Sequence, residues 1–421
     1  MLIEFSVTNF RSFRDKQTLS MVAAPRLRKR ENVFRPEVVG EKFPDLLKVA
    51  VIYGPNASGK SNLLKALDVV PQLSMREPKT REEPLPIAPF RFDATLEDQP
   101  SKFELHFIQG ATRYQFNVSA TAERIVSESL NTFAHGRDVF LYERIHRVDG
   151  ETYRFGQQLI DELGQSVLDT WTKLTPARLL FLAQAVANSN EAPNSLKPPF
   201  EWLRNANISI TDGMGAYRFF SQRMIARRPA NGDSVAKFLE QFDVPISKVS
   251  TEIVAPLQSG SDLGLALAKD ASLSITSSTE VKTTLTHKTA LGESDLSYDD
   301  ESEGTKNLIG FWFPWRMKNI PGSLLVVDEL DNSLHPKIVS ALVENHIQSG
   351  TPTQLIFSTH DTHLMDTKIL RRDQFWITER DANGATQLRS IHDFEGRESE
   401  DIEKRYYEGR YRGLPLVKRA L

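Results

Sequence analysis

The chain has 421 residues, with 52 lysines and arginines against 55 aspartates and glutamates and a formal net charge of -3. That length calls for one large domain with insertions or for two domains, and 40% hydrophobic with 25% charged residues is a globular composition. With no cysteine, disulfides, thiol catalysis and cysteine-ligated zinc are excluded and a reducing cytoplasm fits; no global basic field draws nucleic acid, and no apolar run of about 18 residues spans a membrane.

The N-terminus, MLIEFSVTNFRSF, lacks a signal-peptide core and alternates over residues 2–8 like a strand ending at Asn9. Residues 47–53, LKVAVIY, form a continuous apolar run, as expected of a central strand buried on both faces. The run leads into GPNASGKS and then into NLLKALDVV, whose leucines have helical spacing. A proline- and charge-rich stretch between about 72 and 89 reads as a loop. Strands are expected at 102–108, 113–119 and near Ile125–Leu130. From about 157 the period changes: Leu159, Leu163, Val167 and Trp171 recur every four residues, which predicts helix, with interruptions, to about 245. Strand character returns from about 249. The last third predicts a helix from 304, strand 323–330, a helix from 335, and strands 353–360 and 374–380. The expected organisation is an α/β mononucleotide-binding core in two halves, 1–150 and 246–421, parted by a helical insertion at 151–245.

Gly54-Pro55-Asn56-Ala57-Ser58-Gly59-Lys60-Ser61 fits G-x-x-x-x-G-K-[ST] in full. The glycines let successive backbone N–H groups turn inward on phosphate oxygens, and the following helix adds its positive end. Lys60 supplies a charge to the β- and γ-oxygens, the Ser61 hydroxyl can ligate Mg²⁺, and Asn62 follows directly. An apolar strand before the motif and an apolar helix after it are the context the motif requires.

A second buried run, LLVV, ends in Asp328 and Glu329. Asp328 is suited to hold Mg²⁺ through water, and Glu329 to polarise the attacking water. A third ends at Ser358-Thr359-His360, where His360 could sense or stabilise the γ-phosphate. Lys60 and Asp328 stand 268 positions apart, too far for an AAA+ motor or small GTPase, and there is no [NT]-K-x-D guanine motif. A wide gap with a terminal strand histidine is the layout of ABC-type heads. Such heads need a Ser–Gly turn at a helix N-terminus, acting on the nucleotide of the opposite subunit. Glu301-Ser302-Glu303-Gly304 fits, since an apolar helix follows; Ser302 offers a hydroxyl and Gly304 close backbone approach. Asp331–Pro336 suits the loop that crosses the dimer interface.

NFRSF at 9–13, GPNASGKSN at 54–62, ESEGTKN at 301–307, VVDELDNSLHP at 326–336, FSTHDTHLMD at 357–366 and EKRYYEGRYRGLP at 403–415 resemble the SMC/RecF-like ABC ATPases. Within that group they are similar to the ATPases of bacterial antiphage defence, of the PARIS and RloB-associated type. The resemblance covers the ATPase core and not the insertion. It implies ATP and Mg²⁺ as ligands, a homo-oligomer (a dimer or a multiple of dimers), and Arg11 and Ser12 near the nucleotide. It further implies a TOPRIM-type nuclease effector and a phage-derived trigger, while the cytoplasmic location is the expectation from composition above. The trans motif departs from the pattern, reading S-E-G-T rather than S-G-G-Q. The glutamine that contacts Mg²⁺ in such heads could be Gln109, Gln115 or Gln184.

Weaker features have plainer readings. His360, Asp361, His363 and Asp366 look superficially like a metal cluster but read as a switch histidine before a solvated helix start. Asp299, Asp300, Glu301 and Glu303 read as a solvated acidic loop. The tail mixes Lys404, Arg405, Arg410, Arg412, Lys418 and Arg419 with Tyr406, Tyr407 and Tyr411; it either grips nucleic acid or docks on its own core or a protein partner. The runner-up function is accordingly a RecF-like ATPase acting on DNA in repair. A self-contained nuclease has no acid cluster outside the ATPase motifs to support it.

Overall fold

The computed structural model describes residues 1–76, 83–134, 136–187, 192–205, 207–256, 279–317, 319–397 and 400–414. Part of the loop expected at 72–89, together with Lys418 and Arg419, lies outside them. Two units emerge: Met1–Thr211 with Asn319–Leu330 and Val343–Leu421, and Asp212–Lys318 with Asp331–Leu342.

The chain opens with β1 (Leu2–Thr8) and β2 (Gln17–Ser20), passes through the short ladder of β3 (Val33–Phe34) and β4 (Leu46–Leu47), and reaches β5 (Val49–Tyr53) and helix α1 (Lys60–Ser74). A meander follows: β6 (Ser101–Gln109), β7 (Thr112–Ala120), β8 (Ile125–Ala134), β9 (Arg137–Arg147) and β10 (Gly150–Phe155). With β1 and β2 it forms a seven-stranded antiparallel sheet of order β10-β9-β8-β7-β6-β1-β2. In β1 the alternation places Phe5 and Val7 at zero exposure, where Phe103 and Phe107 of β6 join them.

Helices α2 (Gln157–Leu163), α3 (Gln165–Leu174), α4 (Phe181–Ala187) and α5 (Lys197–Asn205) then lead to β11 (Asn207–Ile210). The four-residue stripe at 159–171 is two helices, because Gly164 at φ 78° breaks the run. The second unit follows: α6 (Gly215–Arg227), α7 (Ala230–Glu240), β12 (Ile246–Pro256), β13 (Thr279–Thr289), β14 (Gly292–Ser297) and α8 (Glu303–Met317). The chain returns for β15 (Leu324–Val327), runs through α9 (Pro336–Ile347), and finishes with β16 (Gln354–Ser358), β17 (Phe375–Arg380), β18 (Thr386–Ser390) and α10 (Ile402–Tyr407).

The first unit's other sheet has the order β11-β15-β16-β5-β17-β18, parallel except for β18. Its central strands are fully buried, as continuous apolar runs in a parallel sheet must be. Helix α1 turns Leu63, Leu64, Leu67 and Val70 into a core shared with Phe5, Phe103 and Trp202, and Trp202 stacks on Phe107 at 4.1 Å. A buried glutamine joins the two sheets: Gln354 accepts from the Leu2 N–H at 2.6 Å and donates to the Leu2 carbonyl at 2.8 Å. The α/β class, with the sheet that carries the phosphate loop beside an antiparallel sheet, agrees with the sequence reading.

The segment 151–245, expected as one helical insertion, is distributed otherwise. Its residues up to Thr211 belong to the first unit and the remainder to the second. It also supplies β11, which pairs in parallel with β15, Asn207 opposite Leu324. A four-residue strand whose partner lies more than a hundred positions away leaves no local periodicity to read. The second unit packs α6, α7 and α8 with the β12-β13-β14 sheet. Gly232 lets α7 approach β12, since a Cβ there would sit 1.9 Å from the Val249 carbonyl oxygen.

Candidate nucleotide-binding site

The loop Gly54–Ser61 leaves the carboxyl end of β5, where parallel α/β sheets hold ligands. Its backbone is bent into the left-handed half of φ space at Gly54 (151°), Ala57 (61°) and Gly59 (108°). The two glycines are needed for a second reason. A Cβ at Gly54 would lie 2.4 Å from the Thr378 carbonyl oxygen, and one at Gly59 would lie 2.1 Å from Thr386 Oγ1. Strands β17 and β18 therefore press against the back of the loop. Ser58 Oγ lies 2.5 Å from Thr378 Oγ1, and Thr378 in turn donates to the Tyr53 carbonyl at 3.2 Å. Thr386 Oγ1 lies 2.8 Å from both the Ser58 carbonyl oxygen and Ser12 Oγ, and Asn62 Nδ2 donates to Ser12 Oγ at 2.9 Å.

Lys60 is only 6% exposed. Its ammonium donates to the Gly54 carbonyl at 2.8 Å and the Pro55 carbonyl at 3.3 Å, so a cation is held inside the loop on neutral oxygens. Helix α1 starts after Gly59 with no side-chain cap, which leaves its first-turn N–H groups directed at the loop's concavity. Asn56 and Ala57 form the exposed rim, and Pro55 and Ser61 are half-buried.

Asp328 and Glu329 follow β15 at the same carboxyl edge. Strand β16 separates β15 from β5, so the two chains stand about 10 Å apart at ordinary strand spacing. Asp328 is half-buried and Glu329 is exposed, with φ 51°. Ser358, the last residue of β16, donates from Oγ to Asp328 Oδ1 at 2.5 Å and accepts the Glu329 N–H at 2.8 Å. Two residues on, His360 is exposed. Asp361 Oδ1 accepts the His363 N–H at 3.0 Å and lies 2.7 Å from its Nδ1, which raises the His363 pKa above the ordinary imidazole value.

In the second unit, Ser302 caps α8: its Oγ accepts the Thr305 N–H at 3.1 Å. A Cβ at Gly304 would lie 2.7 Å from the Ser333 carbonyl oxygen, so this helix start and the Asp331–Pro336 loop approach each other at backbone distance. Asn307 Nδ2 donates to the Asn332 carbonyl at 3.0 Å, and Arg218 joins Asn307 and Glu303 at 2.5 and 2.7 Å.

Residues 49–366 match the family described as "AAA domain, putative AbiEii toxin, Type IV TA system". The chain belongs to this AAA-domain family. The match starts at the first residue of β5 and ends six residues past His360, so it contains the loop, the acidic strand end and the strand histidine. Among curated proteins, no sequence matches this AAA-domain chain. Among solved structures it is similar to the "SMC head domain from Thermotoga maritima", at 13% identity and TM-score 0.41, with 92% of this chain and 98% of that one covered. It is also similar to the "SmcHead bound to the C-winged helix domain of ScpA", at 12% identity and TM-score 0.41, covering 92% and 97%.

Of the residues singled out in the sequence, this family member gathers Gly54–Asn62, Ser12, Asp328, Glu329 and His360 within the first unit, whereas Ser302 and Gly304 lie in the second. Arg11 has φ 51°, donates its N–H to the Ala88 carbonyl at 2.7 Å and lays its guanidinium over Phe10. Gln109 ends β6, Gln115 lies within β7, and Gln184 is buried in α4. Three braces escaped sequence reading: Ser358, Thr378 and Thr386. Their signal was weak, a hydroxyl at or near a strand end, and it becomes specific only once the strands are neighbours.

The tail packs on its own unit. Thr362 Oγ1 donates to Glu403 at 2.7 Å, and Tyr406 Oη donates to the Gly413 carbonyl at 2.9 Å. Three of its described cations stand beside acids: Arg405 with Glu400 at 2.7 Å, Arg410 with Glu408 at 3.0 Å, and Arg412 with Glu379 at 3.7 Å. Among the described residues no group of three His, Asp or Glu side chains could hold a metal, and no helix is long and apolar enough to cross a membrane. Glu301 is engaged by His287 at 2.5 Å.

The residues at the loop fit Mg²⁺ and a nucleoside triphosphate. A buried ammonium on carbonyl oxygens and an uncapped helix start suit a polyphosphate, and Ser61 and Asp328 are oxygen donors of the kind a hard cation takes.

Proposed function

We propose that this AAA-domain chain is an ATP-hydrolysing switch whose two copies close on ATP. The observation that carries the reading is the alignment of the Gly54–Ser61 loop and the Asp328–Glu329 pair at one carboxyl edge of a single parallel sheet, with one strand between them. Lys60, the N–H groups of Gly54–Ser61 and Asn62 hold the phosphates. Ser61 and Asp328 would hold Mg²⁺, which would offset the charge of the phosphates. Glu329 takes a proton from the attacking water, and His360 stabilises the charge that develops on the γ-phosphate. Ser302 and Gly304 of a second copy complete the site: Ser302 offers a hydroxyl, and Gly304 keeps the start of α8 free of side-chain bulk.

The output is control of an associated effector, a TOPRIM-type nuclease, in response to a phage-derived trigger. This rests on the resemblance of the motifs and on the toxin description of the family. A DNA-repair role draws less support, because Arg405, Arg410 and Arg412 stand beside acids rather than forming a bare basic patch.

Glu329→Gln tests the reading. ATP turnover should fall by roughly 100-fold or more while ATP stays bound, and light scattering should show an ATP-dependent dimer or higher even-numbered oligomer. Turnover at the parental rate removes Glu329 as the base; a monomer with ATP bound removes the two-copy closure. A TOPRIM-like gene beside this one would support the defence role, and recombination genes would support repair.

A further inference from the structure

Ser358 has no assigned task, yet it contacts three consecutive residues at the acidic strand end. It is fully buried as the last residue of β16, paired with Ile52 of β5. Its hydroxyl donates to Asp328 Oδ1 at 2.5 Å and accepts the Glu329 N–H at 2.8 Å, and its carbonyl accepts the Leu330 N–H at 3.1 Å. A serine hydroxyl has one proton, and an ionised carboxylate only accepts. The proton therefore goes to Asp328, and a lone pair remains for the Glu329 amide. The direction of both bonds is fixed.

The backbone supplies a second, independent sign. Glu329 holds φ 51°, the left-handed region that a non-glycine residue occupies only when its surroundings impose it. The Glu329 amide is anchored by the Ser358 hydroxyl, and the Leu330 amide by the Ser358 carbonyl. The bend that presents the Glu329 side chain is thus pinned on both sides by one residue.

We propose that Ser358 is a positioning residue that couples the metal-holding carboxylate to the water-activating one. Its hydroxyl sets the orientation of Asp328 and, with the same oxygen, the bend that aims Glu329. The inference rests on the roles proposed above for these two acids. Ser358 touches neither nucleotide nor water in this scheme and acts only through its neighbours.

The experiment is steady-state ATP turnover of the full chain, with ATP and Mg²⁺ titrated separately and fluorescent-ATP binding measured in EDTA. The proteins are the parent, Ser358→Ala, Ser358→Thr, Ser358→Cys and Glu329→Gln. Ser358→Ala should lower kcat by roughly tenfold or more and raise the Mg²⁺ concentration needed for half-maximal rate. Binding in EDTA should stay at the parental value, because the loop is untouched. Ser358→Thr, which keeps the hydroxyl, should restore most of kcat. Should Ser358→Ala not fold, Ser358→Cys, similar in size but a weak donor, should show the same loss.

Parental kcat and Mg²⁺ half-saturation in the Ala or Cys variant overturn the proposal. So does a Thr variant as impaired as Ala, or weakened binding in EDTA that accounts for the whole defect. Glu329→Gln with parental turnover instead overturns the role of Glu329, and the Mg²⁺ shift in Ser358→Ala still decides whether Ser358 orients Asp328.

Discussion

Two helix starts in this chain look alike in sequence and differ in chemistry. Helix α1 begins after Gly59 without a side-chain cap, beside a buried ammonium. Helix α8 begins after Ser302, whose own hydroxyl accepts the Thr305 N–H. The first is a ready anion site, with a dipole end and open amides. In the second, one first-turn amide is already taken by the Ser302 hydroxyl, so a phosphate that meets it finds fewer open amides, with a hydroxyl and a bare glycine beside them. The difference suits a division of labour in which α1 binds nucleotide alone and α8 engages it only when another copy presents it.

The sharpest way to break that comparison is to separate the two ends into different molecules. Lys60→Ala should lose ATP binding by roughly two orders of magnitude, since it removes a charge-assisted contact from a buried site. Ser302→Ala should bind ATP as the parent does but hydrolyse it poorly. Mixed in equal amounts, the two inactive variants should recover about one quarter of parental turnover. Random pairing makes half the dimers mixed, and each mixed dimer carries one intact composite site. No recovery in the mixture would place both functions in one chain.

A smaller effect compares the glycines. Gly59→Ala adds a Cβ at φ 108° and 2.1 Å from Thr386 Oγ1, so it should lower stability by about 2–4 kcal/mol and abolish binding. Gly304→Ala is crowded by the Ser333 carbonyl oxygen, at 2.7 Å, without a left-handed φ. It should cost less stability and leave single-copy ATP binding unchanged. Thermal melts with nucleotide titration distinguish the two, and equal losses would argue that the loop is no more constrained than the helix start.

The smallest effect lies beside the switch strand. The Asp361 carboxylate raises the His363 pKa, so protonated His363 is favoured in the folded chain. Its contribution to stability is fully present below the ordinary imidazole value and fades as pH rises through the raised one. Asp361→Asn should return the His363 titration, followed by NMR, toward that ordinary value. An unchanged titration would mean that another group sets it.

Sequence alone determined what is local. The G-x-x-x-x-G-K-S run after an apolar strand identified the phosphate loop, because the bond pattern of that loop is written in consecutive residues. The apolar runs before Asp328 and His360 likewise announced buried parallel strands, because a strand covered on both faces has no polar side to alternate with. The distances between motifs pointed to the fold class. Tertiary structure decided everything that depends on neighbours. It placed β16 between the loop strand and the acidic strand, recruited β11 from a stretch read as helical, and set Thr378 and Thr386 behind the glycines. It also made Ser358 the common partner of Asp328 and Glu329. The physical reason is that a hydroxyl at a strand end acquires meaning only from the strand beside it, and that strand lies 30 to more than 300 positions away.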